Sequence, residues 1–361
     1  MRKIFLFFAS FILIVVAEKT NAQGCVALKS NGGFCTMSQH HQADSAAKWM
    51  LIANNRYFKS YKHFVGTDEQ KQRTEQGTNV INHQYTLDLT VLRILNPRWS
   101  LLFDLPIEIN SRSSLYEHSN VGRFTTHSAG IGDMRLAAYY WLLNPEKMPR
   151  GDVQLGLGVK LPTGKYNVQD NFHTSDSTTR LGPVDQSIQL GDGGFGVTFE
   201  LNAFYDLSTA LTLYGNVYYL ANPREQNGVS TARGGTPSSG AVANGSYVMS
   251  VPDQYLIRAG ITMAEKRFIF SLGVRDECLT VHDWIGGSNG FRRPGYIISV
   301  EPGIIYRVNK LSLYAFVPVA IVRNRTQSVP DMISSGTSGK NVHGDAAFSD
   351  YAVNLGVTLR F

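Results

Sequence analysis

The last eleven residues of the chain, 351–361, read YAVNLGVTLRF. Tyr351, Val353, Leu355, Val357, Leu359 and Phe361 take every second place, and Ala352, Asn354, Gly356, Thr358 and Arg360 fill the places between. In an extended chain successive side chains leave on opposite faces. This stretch therefore forms a strand with one large apolar face and one small or polar face. A soluble sheet hides such an apolar face in a core, whereas a membrane barrel turns it outward to lipid. The rest of the chain decides between the two.

The same alternation recurs upstream. Residues 99–110 set Leu101, Phe103, Leu105, Ile107 and Ile109 against Leu102, Asp104, Pro106, Glu108 and Asn110. Residues 127–143 set Met134, Leu136, Ala138 and Tyr140 against Asp133, Arg135 and Ala137. Residues 152–165 and 196–206 alternate as cleanly. Residues 79–95, 211–220, 254–263, 268–277, 296–308 and 311–322 follow suit, while 48–60 alternates poorly and its facing stays open. The count is about twelve strands, with ten or fourteen as neighbouring alternatives. Short turns such as Asn96-Pro97 and Asn309-Lys310 follow the even-numbered strands. Long polar stretches at 111–126, 166–190, 222–252, 278–294 and 323–345 follow odd-numbered ones.

An even strand count, with long loops at one end and short turns at the other, is the plan of an antiparallel up-and-down transmembrane β-barrel. A sandwich or propeller does not require that alternation. Charge placement agrees. Asp88, Asp104, Glu108, Asp133, Arg135, Lys160, Glu200, Arg258, Arg275, Glu277, Glu301 and Arg307 fall on the face opposite the apolar one. On the lipid face near the bilayer centre such a charge costs ~2–4 kcal/mol. All of these but Asp88 are retained as lumen-facing candidates. Their mixed signs suit either a lumen plugged by its own ion pairs or a partly open path, and both readings remain. Trp99, Tyr205, Tyr306 and Phe361 belong to an aromatic belt at the short-turn end, and Tyr166, Tyr219, Tyr255 and Tyr351 to one at the other.

Residues 1–22 have the form of a secretory signal: Arg2 and Lys3, an apolar run over 4–17, then Thr20 and Ala22 before Gln23. Cleavage removes three cations and one anion, taking the net charge from +6 to +4. That balance gives no reason to invoke nucleic acid. The division expected is a leader at 1–22, a periplasmic N-terminal segment at 23–47 and an outer-membrane barrel at 48–361. Cys25 and Cys35 are a possible disulfide in an oxidising compartment. A lipidated Cys25 fits less well, because the apolar run ends too early. Short turns inside place both termini in the periplasm of a Gram-negative cell, with the strand ending in Phe361 presented to the barrel-assembly machinery.

Motifs with chemical meaning are few. Gly191, Gly193 and Gly196 fit GxGxxG, but a polar loop precedes and a strand follows, the reverse of a nucleotide site. The glycines are expected to bend the chain into its strand and keep the lumen open. The nine histidines show no metal-ligand spacing, and neither cofactor nor catalytic residue is expected. Asn82-His83 invites comparison with outer-membrane phospholipases, whose Asn-His-x-Ser-Asn-Gly motif is absent here. Arg224, Arg233, Arg292, Arg293, Arg323 and Arg325 lie in outer loops, either as solvated charges or as attractors of anionic solutes and lipopolysaccharide phosphates.

Two segments carry a resemblance. Gly130-Ile131-Gly132-Asp133-Met134-Arg135 leads into Ala138-Tyr139-Tyr140. Gln154-Leu155-Gly156-Leu157-Gly158-Val159-Lys160-Leu161-Pro162-Thr163-Gly164 follows, and Gly191-Asp192-Gly193-Gly194 repeats the glycine-aspartate step. The pairing resembles the transporter-like outer-membrane proteins linked to phenol meta-degradation pathways. That resemblance implies a passive channel or transporter for small, hydrophobic solutes in contact with outer-membrane lipid. A structural or complex-forming surface barrel is the alternative, and a membrane hydrolase a weaker one.

Overall fold

The structure, a computed structural model, describes residues 47–143 and 150–361. The expected leader, the N-terminal segment up to residue 46, and Cys25 and Cys35 lie outside the described residues. The wall begins with β1 (Trp49–Val65), β3 (Ile81–Ile94) and β4 (Trp99–Ser114), with the two-residue β2 (Asp68–Glu69) folded back on β1. β5 (Phe124–Ile131) and β6 (Arg135–Trp141) share the fourth position, followed by β7 (Gly151–Lys160), β10 (Gly196–Asp206) and β11 (Leu211–Ala221). β14 (Gln254–Glu265), β15 (Phe268–Leu279) and β16 (Gly295–Val308) come next. β17 (Leu311–Phe316) and β18 (Val319–Asn324) share the eleventh position, and β19 (Ala346–Arg360) is last. β19 pairs antiparallel with β1 from Met50↔Arg360 to Phe64↔Ala346, so the twelve wall positions close on themselves.

Facing follows the alternation. Leu51, Leu101, Phe103, Leu136, Leu155, Leu157, Phe199, Leu272, Val274, Leu355 and Leu359 are exposed on the outside. Alternate residues are buried inside. An apolar band that encircles the wall is far larger than the scattered patches of a water-soluble monomer and marks a surface meant for lipid. At its short-turn edge Trp99 packs at a tilt against Tyr140, and Phe268 against Tyr306, each pair with ring centres 4.8 Å apart. Trp49 lies there under the Arg93 guanidinium.

Several boundaries differ from expectation, for physical reasons. β4 runs to Ser114 and β5 starts at Phe124, inside the stretch expected as loop. Pairing continues there from Ser111↔His127 to Ser114↔Phe124, although both faces have become polar. Beyond the lipid, strands need no apolar face, so alternation fades before hydrogen bonding does. The strand expected over 127–143 is broken at Gly132-Asp133-Met134, and that over 311–322 at Val317-Pro318. Proline lacks the ladder donor, and its carbonyl accepts from Ala352 N at 3.1 Å instead. The strand expected over 152–165 stops at Lys160, just short of Pro162.

The long loops are structured. They hold the hairpins β8 (Gln169–His173) with β9 (Thr179–Pro183) and β12 (Gln226–Ser230) with β13 (Val248–Ser250). They also hold the helices α1 (Lys71–Glu75), α2 (Ser239–Ala243) and α3 (Val329–Ser338). α3 begins in a full capping box, with Ser328 and Asp331 satisfying each other's backbone donors.

Candidate functional site

The inside of the barrel is built in three layers. The lowest, at the short-turn end, is apolar. Met50, Ile52, Leu92, Leu102, Tyr139, Tyr214, Ile269, Ile305, Tyr314 and Phe316 are buried and pack as one cluster. Inward glycines make room for the rings. A Cβ on Gly260 would meet the Tyr214 hydroxyl at 2.6 Å, and one on Gly273 would meet the same oxygen more closely still. The inner face of β1 is therefore as apolar as its outer face at this end, which is why residues 48–60 show no clear alternation.

The middle layer is ionic and crosses the lumen. Arg56 on β1 reaches Glu277 on β15 at 2.8 Å. Arg275 pairs with Glu277 at 2.5 Å and with Glu301 at 3.1 Å, and Arg258 lies 3.7 Å from Glu301. Arg135 on β6 pairs with Glu200 on β10, whose carboxylate also accepts from Tyr139 at 2.8 Å. Asp104 accepts from Thr90, and Glu108 from Asn110. Of the eleven candidates, nine lose nearly all contact with solvent: Asp104, Glu108, Arg135, Lys160, Glu200, Arg258, Arg275, Glu277 and Glu301. Asp133 stands at the wall break and Arg307 is half-buried at the short-turn rim.

The upper layer is made by loops that dip into the barrel. Val184, Ile188, Leu190, Met249 and Val251 are buried there. Ser128 donates to the Ile188 carbonyl at 2.5 Å, and Gln186 to the Ser250 carbonyl at 2.8 Å. Between this plug and the ionic layer lies a cavity of about 90 Å³. Its wall combines Tyr218, Leu220, Met249 and Leu279 with Arg135 and Lys160. A cavity of that size holds a few waters at most.

The three segments quoted above for their resemblance meet beside this cavity. The Asp133 carboxylate accepts from Gly164 N at 2.9 Å, from Asp192 N at 3.2 Å and from Lys160 at 3.3 Å. Lys160 also pairs with Asp192. Thr163 donates to the Gly132 carbonyl at 2.8 Å and accepts from Met134 N at 2.9 Å. Contrary to expectation, the glycines of residues 191–196 do not keep the lumen open. A Cβ on Gly191 would meet Asp133 Oδ1 at 2.5 Å and Gly164 O at 2.6 Å, so these residues let two chain segments close on each other.

The plug is fastened by charges that alternation alone did not reveal. Arg112 on β4 pairs with Glu117 at 3.0 Å and lies 3.5 Å from Asp185. Arg293 pairs with Asp185, and Arg233 with Glu117 at 2.9 Å. Four loops are thereby tied to one strand. Burial pushes the Asp185 carboxyl up, but Arg112 and Arg293 outweigh it and hold the group below its ordinary value. Arg112 continues the inward parity of Asp104, Glu108 and Asn110, and extending that count would have found it. Nothing in the sequence marks Asp185.

The six outer-loop arginines are not solvated charges. Besides Arg233 and Arg293, Arg292 pairs with Asp283 at 2.6 Å, Arg323 with Asp350 at 2.7 Å and Arg325 with Asp331 at 3.0 Å. Arg224 donates to the carbonyls of Gly193, Gln226 and Asn227. Asn82 and His83 face opposite sides of the wall: Asn82 donates inward to Ser60, while His83 meets the Tyr57 hydroxyl outside. Cys278 is buried. No group of three or more His, Cys, Asp or Glu side chains suited to a metal ion occurs among the described residues.

These features define a closed twelve-stranded antiparallel barrel of the membrane type, with an internally braced lumen. No protein-family model matches the chain, and no curated protein matches it. Among solved structures it is similar to an outer-membrane channel from Pseudomonas putida F1. Identity is 11%, the match covers 87% of this chain and 96% of that one, and the TM-score is 0.58. A TodX variant described as a monoaromatic hydrocarbon channel shows 9% identity over 94% of this chain and 97% of that one, with a TM-score of 0.45. The CymD monoaromatic hydrocarbon channel shows 9% identity over 90% and 92%, with a TM-score of 0.44. Likeness at these identities is one of fold.

Proposed function

We propose that this protein is an outer-membrane channel of a Gram-negative bacterium that passes small hydrophobic solutes. One observation carries the reading: an apolar exterior surrounds an internal cavity walled in part by Tyr218, Leu220, Met249 and Leu279. The ionic layer bridges the lumen from β1 to β15, which argues against a wide aqueous pore. A solute therefore moves only when the loop plug shifts. The resemblance to the phenol meta-degradation transporters supports the same solute class, and the fold shared with the Pseudomonas putida channel supports a channel. In this reading the short turns and both termini face the periplasm, and Phe361 ends the strand presented to the assembly machinery.

Uptake of a radiolabelled monoaromatic solute into proteoliposomes tests the proposal. The expected result is uptake several-fold above protein-free vesicles, with little swelling in sugar. Equal uptake with and without protein would refute it and would favour the surface-complex alternative.

A further inference from the structure

The outer wall carries a group of cations that the solute path does not use. On β1, β18 and β19, Lys62 and Arg323 hold one carboxylate, Asp350, and Lys59 stands beside them against the Tyr61 ring. Lys62 pairs with Asp350 at 3.0 Å and Arg323 does so at 2.7 Å. Tyr61 donates to the same carboxylate at 2.8 Å. The Lys59 ammonium lies 4.8 Å from the centre of the Tyr61 ring, and that of Lys62 lies 5.8 Å from it. Lys59 is exposed and has no carboxylate partner among the described residues. Glu69 on β2 is the next acid and acts on Lys62 through space without an ion pair.

Height fixes what this group faces. Lys59 lies ten residues along β1 from Trp49, the aromatic residue of the short-turn belt. At ~3.3 Å per residue that is about 33 Å of strand. A tilt of roughly 40° makes it about 25 Å across the membrane, the height of a barrel's apolar band. The cations therefore stand at the far edge of the band, level with lipid head groups. The opposite wall differs: Tyr219 and Tyr255 pair there, next to the outward carboxylate Asp276. The basic edge is confined to one side.

We propose that Lys59 and Lys62, with Arg323 behind them on the shared Asp350, form a binding site for the phosphorylated head group of an outer-leaflet lipid. Lys62 and Arg323 share one carboxylate and Lys59 adds a further cation, so positive charge stays in excess even with Glu69 near Lys62, and phosphate esters complement it. Tyr57 and Tyr61 offer the amphipathic ring surface that suits the boundary between head group and acyl chain. Placement in the outer leaflet rests on the orientation proposed above; the site's chemistry does not.

The test uses the full chain in detergent micelles, with a bis-phosphorylated acylated glucosamine disaccharide as probe and its dephosphorylated form as control. Native mass spectrometry is expected to show retention of the phosphorylated lipid, reduced about tenfold in Lys59→Ala/Lys62→Ala. Lys59→Arg/Lys62→Arg should retain it, and Lys266→Ala, at a short turn, should behave as wild type. Heat-modifiable gel mobility checks that each variant is a folded barrel. Equal retention of both lipids, equal retention by the double alanine variant, or full competition by millimolar inorganic phosphate would overturn the site. An epitope tag in residues 235–240 tests orientation separately: a tag hidden on intact cells overturns the outer-leaflet assignment while leaving the micelle result intact. Solute uptake is expected to be unchanged in the variants, which separates this site from the channel.

Discussion

Asp133 shows how one residue can organise a site. Its carboxylate holds Gly164, Asp192 and Lys160 together where the wall strand breaks, and each contact to the charged group is worth about 1.5–3 kcal/mol. Asp133→Asn is expected to destabilise the barrel by about 2–3 kcal/mol. Limited proteolysis should then cut within residues 161–195 faster than in wild type. Unchanged cleavage would mean that the loop is held elsewhere. Asp345 gives a pH test. Burial pushes its carboxyl up, but hydrogen bonds and charge from His63 and Arg73 outweigh that and hold it at about 2. A depressed carboxyl stabilises the fold above its unfolded value of ~3.9, and the contribution fades as pH falls through about 2. Asp345→Asn should cost about 2 kcal/mol at pH 7 and leave a flatter stability profile between pH 4 and pH 2. Denaturant midpoints measured across that window check it. Single-residue roles of this kind were only partly legible: Asp133 stood out by motif and parity, whereas Asp345 and Asp185 lie in polar stretches where no periodicity singles out one acid.

At the level of the strand, alternation located the wall because lipid enforces it. Gly196–Asp206 was found with its full limits, since both ends are marked by turns. Where lipid contact ends the constraint ends, so the extension of β4 to Ser114 leaves no trace in the alternation. The inner face is set by packing, not by solvent, so its apolar cluster left little trace in the pattern. Packing there is tight enough to test. Gly273→Val on β15 would drive a side chain into the Tyr214 hydroxyl and against Ala259 O, 3.0 Å from the ideal Cβ. Overpacking of this kind costs about 1–3 kcal/mol. Urea unfolding in detergent should show that loss, and Tyr214→Ala in the same chain should recover part of it. Independent, additive effects of the two changes would mean that ring and glycine do not share the space.

On the scale of the whole barrel, the open question in the sequence was whether mixed inward charges leave a path or fill it. They fill it, because the pairs reach across the lumen as well as along the wall. Arg56 on the first wall strand and Arg275 on the ninth share Glu277, and all three side chains are nearly excluded from solvent. Removing one partner of such a group strands charge in a low-dielectric interior, at about 3–5 kcal/mol. Glu277→Gln is therefore expected to destabilise the barrel by about that amount. It also removes the brace between the two sides, so conductance in planar bilayers should rise above the wild-type level. Replacing the whole set with Arg56→Met, Arg275→Met and Glu277→Leu removes both the charge and its burial cost, and should restore stability while keeping the lumen narrow. If Glu277→Gln left both conductance and stability at wild-type values, the crossing pairs would not be what closes the barrel, and the loop plug alone would have to do so.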